Sequence, residues 1–233
     1  MEKFDIDGKI CELYTHSETN LNLFLGFNVD DITEKICNSF GLGYVVNPYP
    51  ILIYEKEPEK ICYNNYCKNV LIEGFYDPSE DLDKVLGINK INPYEMLGET
   101  LDQDLIYELN MKNRIETFVH EYLHKIEDEC GFFEKLQELI ENGYDYKFVR
   151  EFIEGYTNVL MKEIGLNPKT YHTETFGVEK AIENLIRQRK INKPSDLLKN
   201  QYYLDEVYNK FYEIYEKMPK DPIGQYIKPK QFN

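Results

Sequence analysis

The sequence predicts an α+β fold, in which a small N-terminal β-sheet lobe packs on a helical core and the C-terminal half is mostly helical. Strand-like runs occur between residues 42 and 78, whereas apolar residues recur at helical spacing from residue 113 onward. At 233 residues the chain is long enough to bury one sizeable core. We therefore predict a single domain with a β-rich lobe at residues 1–110, a helical lobe at residues 111–218 and an irregular tail at residues 219–233.

The strands are predicted from β-branched and aromatic runs that turn residues bound. Residues 42–56 contain two such runs around a proline-containing turn, and residues 69–78 form a further strand that ends in a turn. Together these runs predict a small antiparallel or mixed sheet.

A helical pattern follows the strands. Residues 102–107 predict a short helix, after which Asn113 is expected as the N-cap of a longer one, with Glu116 three residues later as in a capping box. Gly131 is expected to end this longer helix. Its apolar residues keep helical recurrence at Ile115, Phe118, Val119, Tyr122, Leu123 and Ile126.

The longer helix carries two histidines, His120 and His124, with Glu121 beside the first. Positions i and i+4 lie on one face of a helix, so both rings can reach one ion. Zinc favours neutral imidazole, and a catalytic zinc site has three protein ligands and an open position for water. Glu121 can take a proton from that water without being a ligand. The pattern predicts one Zn²⁺ per chain, hydrolysis of a peptide bond, and Glu121 as the general base.

The third ligand is expected on the next amphipathic helix, which runs through residues 146–160 before Gly165 ends it. Glu151 and Glu154 are three residues apart and share a face, so spacing leaves both open. Gly155 lies inside this helix, where a glycine costs about 1 kcal/mol relative to alanine. We interpret it as the point where the two helices approach closely around the metal.

The His-Glu-Tyr-Leu-His run at residues 120–124, followed by the Glu-Gly-Tyr-Thr run at residues 154–157, resembles the gluzincin metallopeptidases. In these zinc peptidases the third ligand is a glutamate on the helix after the motif helix. The second run looks like the Glu-Gly-aromatic-small segment of the glycyl aminopeptidase and aminopeptidase N branches. The resemblance covers roughly residues 113–180 and implies a zincin fold and a peptide or protein substrate.

This resemblance also implies roles for particular residues. Glu154, rather than Glu151, is the zinc ligand. Thr157 and Asn158, one turn further on, are expected as hydrogen-bond partners of a ligand histidine.

The chemistry also needs a donor that holds the oxyanion formed when water attacks the carbonyl. Gluzincins commonly take a tyrosine or a histidine from a region after the glutamate helix. Tyr171 and His172 open the next helical segment of this chain. Tyr171 is favoured because tyrosine donates at neutral pH without prior protonation. Packing at a helix entrance for Tyr171, and a surface position for His172, stay open as alternatives.

The C-terminal part is expected to be helical. Apolar residues recur at helical spacing over residues 174–190, and Pro194-Ser195 begins a further helix that reaches about Met218.

Composition restricts the partners and the compartment. With 27 basic and 42 acidic residues the net charge is −15, which repels phosphate backbones and anionic lipid, so we expect neither nucleic acid nor membrane as a partner. The chain has no apolar run of about 18 residues, and its acidic start does not resemble a signal peptide. Its five cysteines show no close pairing, and Cys62 and Cys67 form at most half of a metal knuckle. A cytoplasmic protein is expected.

Two functional hypotheses from different classes follow. The first is a zinc peptidase, and the second is a non-catalytic, metal-containing protein-interaction module on the same fold. Hydrolysis of a non-peptide bond is a less favoured third. Glu121 favours the enzyme, because a binding module needs no general base beside the metal ligands. The sequence leaves the oligomeric state open.

Overall fold

The computed structural model describes residues 2–6, 9–15, 19–39, 49–63, 66–71, 73–76, 85–91, 103–168 and 175–217. These residues form a mixed α+β structure, which confirms the predicted fold class. The described residues fall into two compact units, one within residues 1–125 and the other within residues 126–217. No helix in the described ranges has both the length and the apolar character needed to cross a membrane.

The first unit contains a five-stranded sheet and a separate two-stranded sheet. In the large sheet the strands lie in the order β1-β2-β3-β7-β6, and β4 pairs with β5 in the small one. The bounds are β1 Glu2–Ile6, β2 Lys9–Thr15, β3 Pro50–Tyr54, β4 Glu59–Tyr63, β5 Tyr66–Val70, β6 Gly74–Tyr76 and β7 Leu86–Asn89. β3 and β7 are parallel and the other pairs antiparallel, so the sheet is mixed, and β6 forms one edge.

The strand prediction for residues 69–78 is wrong in one respect. The run is interrupted, because β5 ends at Val70 in the small sheet and β6 begins at Gly74 in the large one. Each part pairs with a strand that the pattern did not predict, β4 and β7. Of the two runs predicted within residues 42–56, one is β3, and residues 42–48 lie outside the described part of the chain.

Three helices begin in the first unit: α1 Thr19–Leu25, α2 Val29–Ser39 and α3 Gln103–Glu129. α3 buries Phe118, whose ring centroid lies 5.4 Å from that of Phe27 and 5.9 Å from that of Tyr122. The predicted break before residue 113 is wrong, since α3 is one continuous helix. Asn113 is not its N-cap, because it lies inside α3, where its side-chain amide donates to Glu73 Oε2 at 2.7 Å.

The second unit is helical within its described residues. Its elements are α4 Phe132–Glu141, α5 Tyr146–Glu163, α6 Thr175–Arg187, a 3-10 helix Pro194–Lys199 and α7 Gln201–Tyr215. The helices predicted over residues 146–160 and 174–190 are confirmed as α5 and α6. The predicted helix from Pro194 is instead two elements, because Asn200 leaves the helical conformation and its side chain caps α7 by accepting from the Tyr202 N–H.

Aromatic packing holds α5 against α7. Phe148 is fully buried, and its ring centroid lies 4.9 Å from that of Tyr208 and 5.6 Å from that of Phe211. The N-cap of α5 joins the same contact, because Asp145 accepts from the Phe148 N–H at 3.0 Å and from the Tyr208 hydroxyl at 2.9 Å. The start of α5 is therefore tied to α7 by both apolar and polar contacts.

Gly155 allows α5 and α6 to approach closely. A Cβ added to Gly155 would lie 2.7 Å from Val178 Cβ and 3.2 Å from the Thr175 carbonyl oxygen. The close neighbour is thus α6 and not the motif helix, so our interpretation of this glycine is wrong. The helix-breaking cost of the glycine is offset by packing between α5 and α6.

We predict opposite stability changes for two helical glycines. Gly155→Ala should lower the free energy of unfolding by about 1–3 kcal/mol, because the new methyl group overlaps the Cβ atom of Val178. Gly177→Ala is the matched control, since its added Cβ lies 3.5 Å from the Phe211 side chain, and it should raise stability by up to about 1 kcal/mol. Denaturant unfolding measures both. Equal stabilisation by the two substitutions would contradict the close approach at Gly155.

Candidate metal centre

The two motif histidines point their Nε2 atoms at a common position. His120 Nε2 and His124 Nε2 lie 3.1 Å apart, and their ring planes are nearly perpendicular, at 88°. Two nitrogens each about 2.0–2.1 Å from a tetrahedral zinc ion lie about 3.3 Å from one another. The spacing therefore suits two ligands of one ion.

Glu154 supplies a third ligand atom. One carboxylate oxygen of Glu154 and one ring nitrogen each of His120 and His124 all lie within 4.8 Å of one another. His124 is buried, whereas His120 and Glu154 are half-buried. Two imidazoles with one carboxylate form a donor set that suits divalent transition metals. This group of three residues could hold a metal ion.

Glu151, the other candidate ligand, has a different environment. Its side chain is fully buried, and its Oε1 accepts from Arg150 Nε at 2.8 Å. Its Oε2 accepts from the Thr175 hydroxyl at 2.7 Å. Both carboxylate oxygens therefore have hydrogen-bond partners within the second unit, and Glu154 is the glutamate that joins the two histidines.

The start of β6 determines where Glu121 lies. A Cβ added to Gly74 would lie 2.6 Å from Thr117 Cγ2 and 3.0 Å from Glu121 Cγ, so the strand touches α3 there. The preceding Glu73 accepts at its Oε2 from Asn113 Nδ2 at 2.7 Å and from the Thr117 hydroxyl at 3.3 Å. Positions 113, 117 and 121 are spaced by four residues and lie on one face of α3. This face holds Glu121, which is only 9% exposed, against the sheet edge.

Tyr54 interacts with the charges of Glu121 and Glu73, and it was not predicted from the sequence as a residue of this site. It lies buried at the end of β3. Burial raises the pKa of the Tyr54 hydroxyl, and the negative charges of Glu121 and Glu73 raise it further. Tyr54 therefore keeps its proton at neutral pH. Alternation along β3 places Tyr54 on the face opposite the buried Ile51 and Ile53, and no motif indicated its carboxylate neighbours.

A buried hydrogen bond joins two residues that lie one helical turn after His124 and Glu154. The Thr157 hydroxyl donates to Glu127 Oε1 at 2.8 Å. Glu127 follows His124 by three residues on α3, and Thr157 follows Glu154 by three on α5. Both residues are buried. The bond therefore joins the last turn of α3 to α5 within the second unit, and sequence reasoning missed Glu127.

Asn158 has one satisfied and one unsatisfied polar atom. Its Nδ2 donates to Glu179 Oε1 at 2.8 Å. Its Oδ1 is buried and has no hydrogen-bond partner among the described residues. An acceptor of this kind suits the N–H of a ligand imidazole. That Thr157 and Asn158 orient a ligand histidine stays a prediction.

Tyr171 and His172 lie outside the described residues, so their role as oxyanion donors stays a prediction.

Comparisons of the chain with protein-family models, with curated proteins and with solved structures find no match. The gluzincin resemblance therefore depends on the motif residues alone and stays a prediction.

We predict that Glu154→Gln and Glu151→Gln separate metal binding from stability. Glu154→Gln should weaken zinc binding by more than the roughly 10–100-fold that loss of an outer hydrogen-bond partner costs. Glu151→Gln should keep one zinc per chain but lower the free energy of unfolding by about 3 kcal/mol, since it leaves Arg150 without its buried counter-charge. Calorimetric zinc titration and denaturant unfolding measure the two effects. Loss of zinc from the Glu151 variant alone would make Glu154 the wrong ligand.

Proposed function

We propose that this protein is a zinc-dependent peptidase whose metal ligands are His120, His124 and Glu154, with one Zn²⁺ per chain. The observation that carries the proposal is the convergence of two Nε2 atoms and one carboxylate oxygen, with a further carboxylate, Glu121, next to the first histidine. A structural metal site needs no such additional base.

In the proposed reaction Glu121 is the general base. His120, His124 and Glu154 would hold a zinc ion that would supply Lewis acidity, which lowers the pKa of bound water and polarises a carbonyl group. Glu121 takes the proton from the attacking water and delivers it to the amine that leaves. Its Cγ lies against Gly74, which restricts the positions that its carboxylate can occupy.

The substrate is proposed to be an extended peptide. β6 is an edge strand of the large sheet, and its first residue contacts the helix turn that carries Glu121. A peptide backbone can add to such an edge through main-chain hydrogen bonds. This arrangement supports a peptide substrate over a small non-peptide ester or amide, which has no repeating backbone to pair.

Three further parts of the proposal depend on the sequence. Tyr171 and His172 are the proposed donors to the oxyanion, and Asn158 the proposed acceptor from a ligand histidine. A cytoplasmic location is proposed from the odd number of cysteines.

We predict that Glu121→Gln separates metal binding from turnover. The variant should bind one zinc per chain with unchanged affinity and lose about 10²–10⁴-fold in kcat, because the amide cannot accept the proton. Cleavage of a mixture of unstructured peptides, followed by mass spectrometry, gives the rate, and His124→Ala should lose both zinc and activity. Zinc binding without cleavage by the wild-type protein would instead favour the metal-containing interaction module. Equal turnover by wild type and Glu121→Gln would refute Glu121 as the base.

We predict that Gly74→Ala impairs turnover without removing the metal. The added methyl group overlaps Thr117 and Glu121, so Glu121 must move, and a displacement of about 1 Å costs up to about 100-fold in rate. Zinc stoichiometry should stay at one, since the three atoms nearest to the added Cβ belong to Thr117, Glu121 and Gly87 and not to the ligand residues. Gly177→Ala is again the control for glycine replacement in a folded region. An unchanged kcat in a folded Gly74→Ala protein would show that β6 does not position the base.

A further inference from the structure

The two-stranded sheet places two cysteines directly opposite each other. β4 and β5 are antiparallel, and their register pairs Tyr63 with Tyr66 and Cys62 with Cys67. Only residues 64 and 65 separate the strands. The sequence alone showed no close cysteine pairing, and the register overturns that interpretation for Cys62 and Cys67.

The position of this pair in the ladder suits a covalent bond. Opposite residues in an antiparallel pair alternate between hydrogen-bonded and non-hydrogen-bonded positions. In a hairpin with a two-residue loop, the pair that closes the loop is hydrogen-bonded, and here it is Tyr63 with Tyr66. Cys62 and Cys67, one step away, therefore occupy a non-hydrogen-bonded position.

Backbone distances at such a position match those of disulfides. Cα atoms of a non-hydrogen-bonded pair lie about 4.5 Å apart, and disulfides connect Cα atoms about 4.4–6.8 Å apart. Residues directly opposite each other also lie on the same face of the sheet. The backbone therefore needs little rearrangement to accept a cross-link.

We propose that Cys62 and Cys67 are a redox modification site, at which a small-molecule disulfide such as oxidised glutathione converts the two thiols into a reversible disulfide. One cysteine thiolate attacks a sulfur of oxidised glutathione, forming a mixed disulfide and releasing one reduced glutathione. The other cysteine thiolate then attacks the cysteine sulfur of that mixed disulfide and releases the second. The two cysteines lose two electrons and two protons, which the two glutathione thiols carry away.

A disulfide would stabilise the hairpin formed by β4 and β5. A two-stranded hairpin on its own is only marginally stable in water, and β4 and β5 pair with each other rather than with the large sheet. Along the chain the hairpin joins β3, which ends at Tyr54, to β6, which begins at Gly74. The disulfide would thus stabilise the connection between two strands that contact the Glu121 region. This inference does not depend on the proposed peptidase activity.

The test uses the full-length protein as purified, without removal of metal. The protein is equilibrated with oxidised and reduced glutathione at equal, roughly millimolar concentrations, then alkylated and digested with trypsin. Lys60 and Lys68 flank the pair, so one tryptic peptide, residues 61–68, contains both cysteines. The internal disulfide gives this peptide a mass two hydrogens lower than the reduced form, with no alkyl group.

The expected result is the internal disulfide at residues 61–68, formed in about tenfold or greater excess over the glutathione adduct of the exposed Cys130, because pairing within the hairpin has a high effective concentration. In Cys62→Ser and Cys67→Ser the remaining thiol should instead form a glutathione adduct like that of Cys130. Amide hydrogen exchange in residues 59–70 should slow on oxidation of the wild type and stay unchanged in Cys62→Ser. Two separate adducts on the wild-type peptide, two alkylated thiols, or a disulfide from either residue to Cys11 would overturn the proposal.

Discussion

The helical periodicity of α3 is the constraint on which the site depends, because one continuous helix assigns different contacts to its different faces. Positions spaced by four residues meet the start of β6, and a second set spaced by four carries the two imidazoles whose Nε2 atoms lie 3.1 Å apart. A third set is apolar and buried. These sets are Asn113, Thr117 and Glu121; His120 and His124; and Phe118, Tyr122 and Leu123. A break in the helix would misalign all three.

For each carboxylate near the two histidines, burial and hydrogen-bond partners determine whether it is available as a metal ligand. Glu151 is fully buried and paired with Arg150, and Glu127 is buried and hydrogen-bonded to Thr157. Buried carboxylates need such partners, because the desolvation of an unpaired charge is costly. Glu154 is half-buried and is the carboxylate that reaches the histidines. An acidic chain with a net charge of −15 thus distinguishes its carboxylates by burial and partners rather than by residue type.

Local patterns predicted those features that depend on residues close in sequence. The α+β class, helices α5 and α6, and the pairing of His120 with His124 each follow from periodicity or from i, i+4 spacing. Predictions failed where a distant partner decided the outcome. Asn113 is a good N-cap by type but bonds Glu73, and Gly155 packs against Val178 on α6. Strands β1, β2, β4 and β7 were not predicted, since short strands depend on their neighbours for stability.

By itself, the sequence determined the donor chemistry: two imidazoles on one helix face, a carboxylate beside them, and two glutamates one helix later. Only the tertiary structure gave those glutamates different surroundings: Glu154 joins the two histidines in a group that could hold a metal ion, whereas Glu151 is buried beside Arg150 and Thr175. It also brought Gly74 against Glu121 and Cys62 opposite Cys67, contacts that depend on sheet register. Register and helix packing are set by burial of side chains from distant parts of the chain, which no local spacing encodes.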